Sequence, residues 1–239
     1  METIDHAVIL AAGRGTRMGV ITQAIPKPML AIAGRPMLEH ILERLATAGI
    51  KRFLIVVGYH AEAIVNHFRD SRFNIEFRVQ EPVNGTGSAA LLAKEFVAGG
   101  AFLLTYGDIL CSPEEYWRAI AALDDDTQGV LAVKSVEDPW QGAAVYAENS
   151  RITKIIEKPP KGTSTTPWNS AGFYCFRARV FDYLAELKPT VRKEYELTSA
   201  IDTMLREGLV LKISAIEGEW RDVGRPEDLA EVNSTPSGQ

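Results

Sequence analysis

Short apolar runs of strand length alternate with helical patterns through the first half of the sequence, and this alternation restricts the fold more than any other feature. The apolar runs cover 7–10, 53–57, 75–79 and 101–105, and the helical patterns between them cover 37–48, 61–68 and 86–97. Strands that alternate with helices in this way pair in parallel through right-handed crossovers. The first half therefore predicts a Rossmann-like α/β fold, a doubly wound sheet with helices on both faces.

The second half is less regular and predicts that the sheet is mixed, although mostly parallel. Further strand-like runs cover 130–133, 143–146, 152–156, 172–176 and 209–213, and helical patterns cover 113–123, 180–187, 197–206 and 226–232. Several of these runs are close enough in the chain for antiparallel pairing. No low-complexity linker interrupts the chain, so we expect one domain over residues 1–233, followed by a disordered tail over 234–239.

Bulk properties exclude several classes of protein. The formal net charge of -5 argues against a nucleic-acid partner, because binding to the phosphate backbone depends on excess positive charge. The sequence contains no apolar stretch long enough for a membrane span and no basic head typical of a signal peptide. Cys111 and Cys175 lack metal-ligand spacing and fit a reducing compartment, so we expect a cytoplasmic protein. The sequence is compatible with a homo-oligomer and does not specify the number of subunits.

The turn after the first strand is rich in glycine and carries positive charge. Gly13 and Gly15 let main-chain N–H groups approach an anion, and Arg14, Arg17 and Lys27 supply cations. Two interpretations remain open on these residues alone: a phosphate-binding loop, or an ordinary turn between a strand and a helix with surface cations.

Two common glycine motifs do not fit this turn. A Walker loop needs Lys and Ser or Thr directly after its last glycine, and no lysine follows Gly15. A dinucleotide-binding turn needs a third glycine where Met18 stands and an acidic residue after the second strand, which ends at Gly58. A nucleotide-hydrolysing P-loop protein and a dinucleotide-dependent oxidoreductase are therefore excluded.

A second glycine-rich turn follows the third strand. Gly85 and Gly87 flank Thr86 at the start of a helix, and Gln80 offers an amide with both a donor and an acceptor. Such a pair of groups suits the edge of a uracil or thymine ring. The alternative is a plain turn with Thr86 as the helix cap.

Charged residues stand at the ends of two later strands. Asp108 follows the buried fourth strand, where a carboxylate without a partner is costly, so either a bound cation or a helix cap would explain it. Glu157 and Lys158 precede Pro159 at another strand end, a pattern that local chemistry alone assigns to a solvated turn.

The motifs together resemble the sugar-1-phosphate nucleotidyltransferases, also called nucleotide-sugar pyrophosphorylases. L-A-A-G-x-G-T-R-M followed by P-K-P-M resembles the opening signature of this family, except that Gly19 and Val20 replace a common Arg-Pro pair. Gln80 followed by G-T-G-x-A resembles the base-recognition segment of its uridylyl- and thymidylyltransferase branches. The segment from Glu219 to Gly224 resembles W-x-D-x-G, and E-K-P also has a counterpart in the family.

The resemblance implies a role for each matching residue. Catalysis is assigned to Arg17, Lys27, Asp108 and Asp222, with both aspartates as ligands of Mg²⁺. Nucleotide binding is assigned to Leu10, Ala12, Gly13, Gly15, Thr16, Arg17, Gln80, Gly85, Thr86 and Gly107. Binding of the sugar phosphate is assigned to Glu157, Lys158, Asn169 and Gly172, although Asn169 stands one position earlier than in the family's N-A-G.

The expected reaction transfers a nucleotidyl group from a nucleoside triphosphate, with UTP or dTTP favoured, to a sugar-1-phosphate, and releases pyrophosphate. Two alternatives stay open. One is a cytidylyltransferase that acts on a phosphorylated alcohol such as phosphocholine. The other is a catalytically silent relative that binds a nucleotide-sugar and regulates a partner.

Overall fold

A computed structural model describes residues 4–234. Its helices are α1 (Met37–Thr47), α2 (Ala61–His67), α3 (Thr86–Leu91), α4 (Lys94–Val97), α5 (Pro113–Ala121), α6 (Val180–Ala185), α7 (Leu197–Arg206) and α8 (Pro226–Ser234). None of these helices is both long and apolar enough to cross a bilayer, within the described range. Two short 3₁₀ helices cover Thr16–Thr22 and Lys27–Met29.

The strands are β1 (His6–Ala11), β2 (Ala31–Ile32), β3 (Arg35–Pro36), β4 (Arg52–Val57), β5 (Asn74–Val79), β6 (Ala101–Tyr106), β7 (Ile109–Cys111), β8 (Gly129–Ser135), β9 (Ala143–Glu148), β10 (Arg151–Glu157), β11 (Trp168–Arg177), β12 (Leu211–Ala215) and β13 (Trp220–Asp222). A nine-stranded sheet has the order β5-β4-β1-β6-β11-β8-β12-β10-β9, and two small ribbons pair β2 with β3 and β7 with β13.

The sheet is mixed, as the sequence predicts. Strands β5, β4, β1 and β6 run parallel to one another, and β8 runs parallel to β12. Strand β11 enters the sheet antiparallel to both β6 and β8, and β10 is antiparallel to its neighbours. The carboxyl ends of β1, β5 and β6 therefore meet at one edge, where an open α/β sheet places its ligands.

Both faces of the sheet are covered by helices, so the core has two layers. Along β1, Ala7 and Ile9 face one layer and Val8 faces the other. The first layer includes residues of α1, α2 and α5, and the second includes residues of α3, α4, α6 and α7. Strand β1 is buried from both sides, which explains why it appears in the sequence as a continuous apolar run.

Two local expectations need correction. The helix expected over 86–97 is interrupted and forms α3 and α4, with Leu92 and Ala93 between them. Ser234, assigned to a disordered tail, is the last residue of α8, while residues 235–239 lie outside the described part of the chain.

Candidate active site

Two adjoining cavities open at the carboxyl edge of the sheet. The first, of about 390 Å³, is lined by the glycine-rich turn and by Gln80, Gly85 and Thr86 of the loop over 80–87, called the base loop after its predicted role. The second, of about 440 Å³, is lined by residues from β8, β11, β13 and the loops near them. Arg17 and Asp108 line both cavities, so the two form one continuous cleft.

The structure brings the predicted residues into this cleft in two groups. The first cavity is lined by every residue assigned to the nucleotide: Leu10, Ala12, Gly13, Gly15, Thr16, Arg17, Gln80, Gly85, Thr86 and Gly107. The second is lined by every residue assigned to the sugar phosphate: Glu157, Lys158, Asn169 and Gly172. The roles of these residues remain predictions. The residues assigned to the nucleotide and those assigned to the sugar phosphate line adjoining cavities.

The glycine-rich turn brings Lys27 to the bottom of the first cavity. Gly15 has φ 63°, and a Cβ at this position would lie 3.0 Å from Cβ of Lys27, so only glycine fits both the backbone and the space. The hydroxyl of Thr22 donates to the carbonyl of Gly15 at 3.0 Å and holds the turn closed. Lys27 is buried, and its ammonium donates to Oδ2 of Asp108.

The base loop presents the amide of Gln80 in one orientation. Its Nε2 donates to the carbonyl of Gly85 at 2.8 Å and to Oγ of Ser88 at 3.0 Å. Because a main-chain carbonyl only accepts, these contacts assign the amide without ambiguity. Oε1 of Gln80 keeps no hydrogen-bond partner within residues 4–234, and it is the acceptor that this buried side chain has left for a ligand.

The two aspartates come together through the small ribbon of β7 and β13. Asp108 directly precedes β7, and Asp222 pairs in register with Ile109. The amide of Val223 also donates to the carbonyl of Asp108 at 3.0 Å. This antiparallel ribbon brings together two carboxylates that stand 114 positions apart in the sequence.

Asp222 has the features of a cation ligand. Its Oδ1 is buried and has no hydrogen-bond partner among the residues described. Burial raises the pKa of Asp222 above its usual range, and the negative charge of Asp108 raises it further, while Lys27 and Arg17 act in the opposite direction. Two close carboxylates, one with an unused oxygen, fit Mg²⁺, which takes one or two protein carboxylates and completes its shell with water and substrate phosphates. Within 4–234, no group of three or more His, Cys, Asp or Glu side chains that could hold a metal ion is found.

The second cavity combines acids and bases beside β11. Burial raises the pKa of Glu157, opposed by the charges of Arg192 and Lys158. Oδ1 of Asn169 is buried without a partner among the residues that the structure describes, while its Nδ2 donates to the carbonyl of Ser170 at 3.0 Å. The cavity therefore offers both hydrogen-bond acceptors and cations.

The segment 188–196 borders both cavities, and the sequence predicts no site residue within it. Gly87 donates to the carbonyl of Tyr195 at 2.7 Å, and Tyr195 donates to the carbonyl of Asn84 at 2.8 Å. Gly85 has φ 134° and lies so close to this segment that a Cβ would stand 2.3 Å from the Tyr195 oxygen. The base loop is therefore fixed against the segment 188–196, which borders the second cavity.

Arg192, in the same segment, forms ion pairs with Glu196 and with Glu157, the latter at 3.4 Å. Glu196 begins the stretch Glu-Leu-Thr, which resembles the family segment E-L-T-D except that Ser199 replaces its aspartate. Arg192 itself stands in no recognisable pattern, because only the tertiary fold brings it to Glu157.

The fold and the cleft define an α/β protein whose glycine-rich, cation-lined site lies at the carboxyl edge of its sheet. Residues 6–237 match the family described as nucleotidyl transferase, which is nearly the whole chain. The chain belongs to the nucleotidyl transferase family.

Individual relatives support this assignment. The chain is 34% identical over 228 residues to the bifunctional protein GlmU of Methanococcus aeolicus, with 95% of this chain and 53% of the relative covered. It is 32% identical over 234 residues to the UTP-glucose-1-phosphate uridylyltransferase AglF of Haloferax volcanii, with 95% and 94% covered. The chain thus spans about half the length of the GlmU relatives and nearly all of AglF.

A solved structure has the same fold. The chain superposes with a TM-score of 0.85 and 26% identity on a Bacillus anthracis protein assigned as a glucose-1-phosphate thymidylyltransferase and crystallised with sucrose. The superposition covers 98% of this chain and 97% of that one.

Proposed function

We propose that the protein transfers a nucleotidyl group from UTP or dTTP to a sugar-1-phosphate in a reaction that depends on Mg²⁺. The observation that carries this proposal is the joining of the two cavities at Arg17 and Asp108, with Lys27 and Asp222 beside them. A nucleoside triphosphate in the first cavity and a sugar phosphate in the second would meet at this junction.

The preference for uracil or thymine follows from the orientation of the Gln80 amide. The free Oε1 can accept a hydrogen bond from N3–H of uracil or thymine. Cytosine has an acceptor at N3, which would face another acceptor. A cytidylyltransferase is therefore the less favourable alternative.

Catalysis in this proposal depends on positioning and charge. The phosphate of a sugar-1-phosphate is already ionised near neutral pH, so the protein need not supply a general base. Its task is to hold two anions that repel each other in line and to stabilise the charge that develops on the leaving pyrophosphate. Arg17 and the backbone of 13–15 would bind the β- and γ-phosphates, and Lys27 and Lys158 would complete the cationic surround.

Asp108 and Asp222 would hold Mg²⁺. The metal, when bound, supplies positive charge to phosphate oxygens of both reactants. Asp108 also orients the ammonium of Lys27 through their hydrogen bond. On the sugar side, Glu157 would accept hydrogen bonds from ring hydroxyls, with Asn169 and Gly172 beside it.

Two further properties belong to this proposal. Cys111 and Cys175 are free and buried, which suits a reducing compartment such as the cytoplasm. A homo-oligomer stays compatible with the fold.

The test is a matrix of the triphosphates UTP, dTTP, CTP, ATP and GTP against several sugar-1-phosphates and phosphocholine, with Mg²⁺ present and pyrophosphate as the readout. We expect UTP or dTTP with a sugar-1-phosphate to give kcat/KM at least about tenfold above CTP, since one lost or opposed buried hydrogen bond has about this effect. Removal of Mg²⁺ with EDTA should abolish release.

Each alternative has its own result in this matrix. Turnover of CTP with phosphocholine would replace the proposal by the cytidylyltransferase. Binding of nucleotide-sugar without any pyrophosphate release would replace it by the silent regulatory relative.

A further inference from the structure

Lys134 lies on the sugar side of the cleft. It is the second-last residue of β8 and lines the second cavity but not the first. It pairs in register with Asn169 of β11, so the two side chains lie on the same face of the sheet. A ligand group that reaches Lys134 would therefore belong to the sugar-1-phosphate rather than to the triphosphate.

The ammonium of Lys134 is a cation without an anionic partner. Its Nζ lies 4.1 Å from the centroid of the Trp220 ring, which holds the side chain in place through a cation–π contact. Across residues 4–234 it makes no ion pair and no side-chain hydrogen bond, whereas Lys27 is paired with Asp108 and Arg192 with Glu157. An ammonium has three donors and no acceptor, so these donors remain for a ligand.

A second donor stands at the same cavity. Oε1 of Gln141 accepts from Nη2 of Arg225 at 3.4 Å, and this contact leaves the NH₂ group of Gln141 for a ligand. Lys134 and Gln141 therefore both offer donors to the second cavity. A neutral hydroxyl needs no charged partner, but a carboxylate accepts several hydrogen bonds and gains from the positive charge.

We propose that Lys134 is a specificity-determining residue that selects sugar-1-phosphates carrying a carboxylate on the ring, which are uronic acid 1-phosphates. This inference rests on the proposed function and names the substrate class of the same site. Lys134 binds the ring carboxylate, and Gln141 donates a further hydrogen bond to it.

The experiment compares glucuronic acid 1-phosphate with glucose 1-phosphate and N-acetylglucosamine 1-phosphate, with UTP, Mg²⁺ and pyrophosphate release as the readout. The wild-type protein should show a kcat/KM about tenfold higher for the uronic acid than for either neutral sugar. Lys134→Met keeps an unbranched side chain of similar bulk and removes its charge, and it should lower this ratio by about tenfold. Raising the ionic strength should lower the wild-type ratio as well, because the discrimination is electrostatic.

A matched control is Lys154→Met. Lys154 also lies over an aromatic ring, that of Tyr146 at 5.4 Å, but it is exposed and lines neither cavity of the cleft. This control should keep the wild-type ratio, and thermal unfolding of both variants checks that they fold.

The possible outcomes separate the two levels of the proposal. Pyrophosphate release with neutral sugars but no preference for the uronic acid, or an unchanged ratio in Lys134→Met, overturns the role of Lys134 alone. No release with any sugar-1-phosphate overturns the proposed function and this inference with it.

Discussion

Replacement of Lys27 by alanine is expected to lower kcat by about 10²–10³-fold, the loss that follows removal of one group that stabilises developing charge. Lys27 is buried between the glycine-rich turn and Asp108, where low polarity strengthens its field at the phosphates. Steady-state kinetics of pyrophosphate release measure this loss. The free energy of unfolding should fall by only about 1–2 kcal/mol, or roughly 2–8 °C in Tm.

The matched control for this variant is Lys94→Ala. Lys94 is exposed on α4 and lines neither cavity of the cleft, so its loss should leave kcat within about twofold. An unchanged rate in the Lys27 variant would remove this residue from the mechanism. A rate that falls only because the protein unfolds would be recognised from the thermal melt.

Replacement of Asp222 by asparagine is expected to lower kcat by about 10²-fold or more, because it removes one of the two carboxylates proposed to hold Mg²⁺. Asp108→Asn should have an effect of similar size, and raising the concentration of Mg²⁺ should restore part of the activity of either variant. Kinetics at several concentrations of Mg²⁺ measure both effects. Asp70→Asn, an exposed aspartate that lines neither cavity, is the control.

Stability should change in the opposite direction to activity in the Asp222 variant. Because the pKa of Asp222 is raised in the folded protein, its ionisation costs folding free energy at every pH above that raised value. Without Mg²⁺ at neutral pH, Asp222→Asn should therefore raise Tm, and this difference should shrink as the pH falls through the raised pKa towards the usual one. Mg²⁺ should stabilise the wild-type protein more than the variant. Wild-type activity in Asp222→Asn, or a large loss of its stability, would contradict the assignment.

The parallel half of the fold could be predicted from the sequence because its strands are buried on both faces. Strands such as β1 and β4 appear as continuous apolar runs, and amphipathic helices separate them. The ribbon of β7 and β13 could not be predicted in this way, because each of its strands has three residues. The interruption between α3 and α4 could not be predicted either, because no glycine or proline stands at Leu92 and Ala93.

The candidate site also contains residues that a local pattern predicts and residues that only the tertiary fold brings together. The glycine-rich turn, Arg17 and Lys27 form a local pattern, so the sequence alone indicates a site for anions. Asp222 could be assigned only through a resemblance, because its closeness to Asp108 depends on the pairing of β13 with β7.

No sequence pattern predicts a role in the site for Arg192 or Lys134. Each stands in an ordinary stretch of sequence, and each borders the sugar side of the cleft only because of the tertiary fold. Charged residues without a local motif are recognised when the structure shows what surrounds them.

The most direct test of the account follows the phosphates of UTP, radiolabelled at either the α- or the γ-position, in the presence of a sugar-1-phosphate and Mg²⁺. The account predicts that the α-label enters the nucleotide-sugar and that the γ-label is released as pyrophosphate. Release of the γ-label as inorganic phosphate, with the α-label left in UDP, would show hydrolysis instead of nucleotidyl transfer and would contradict it.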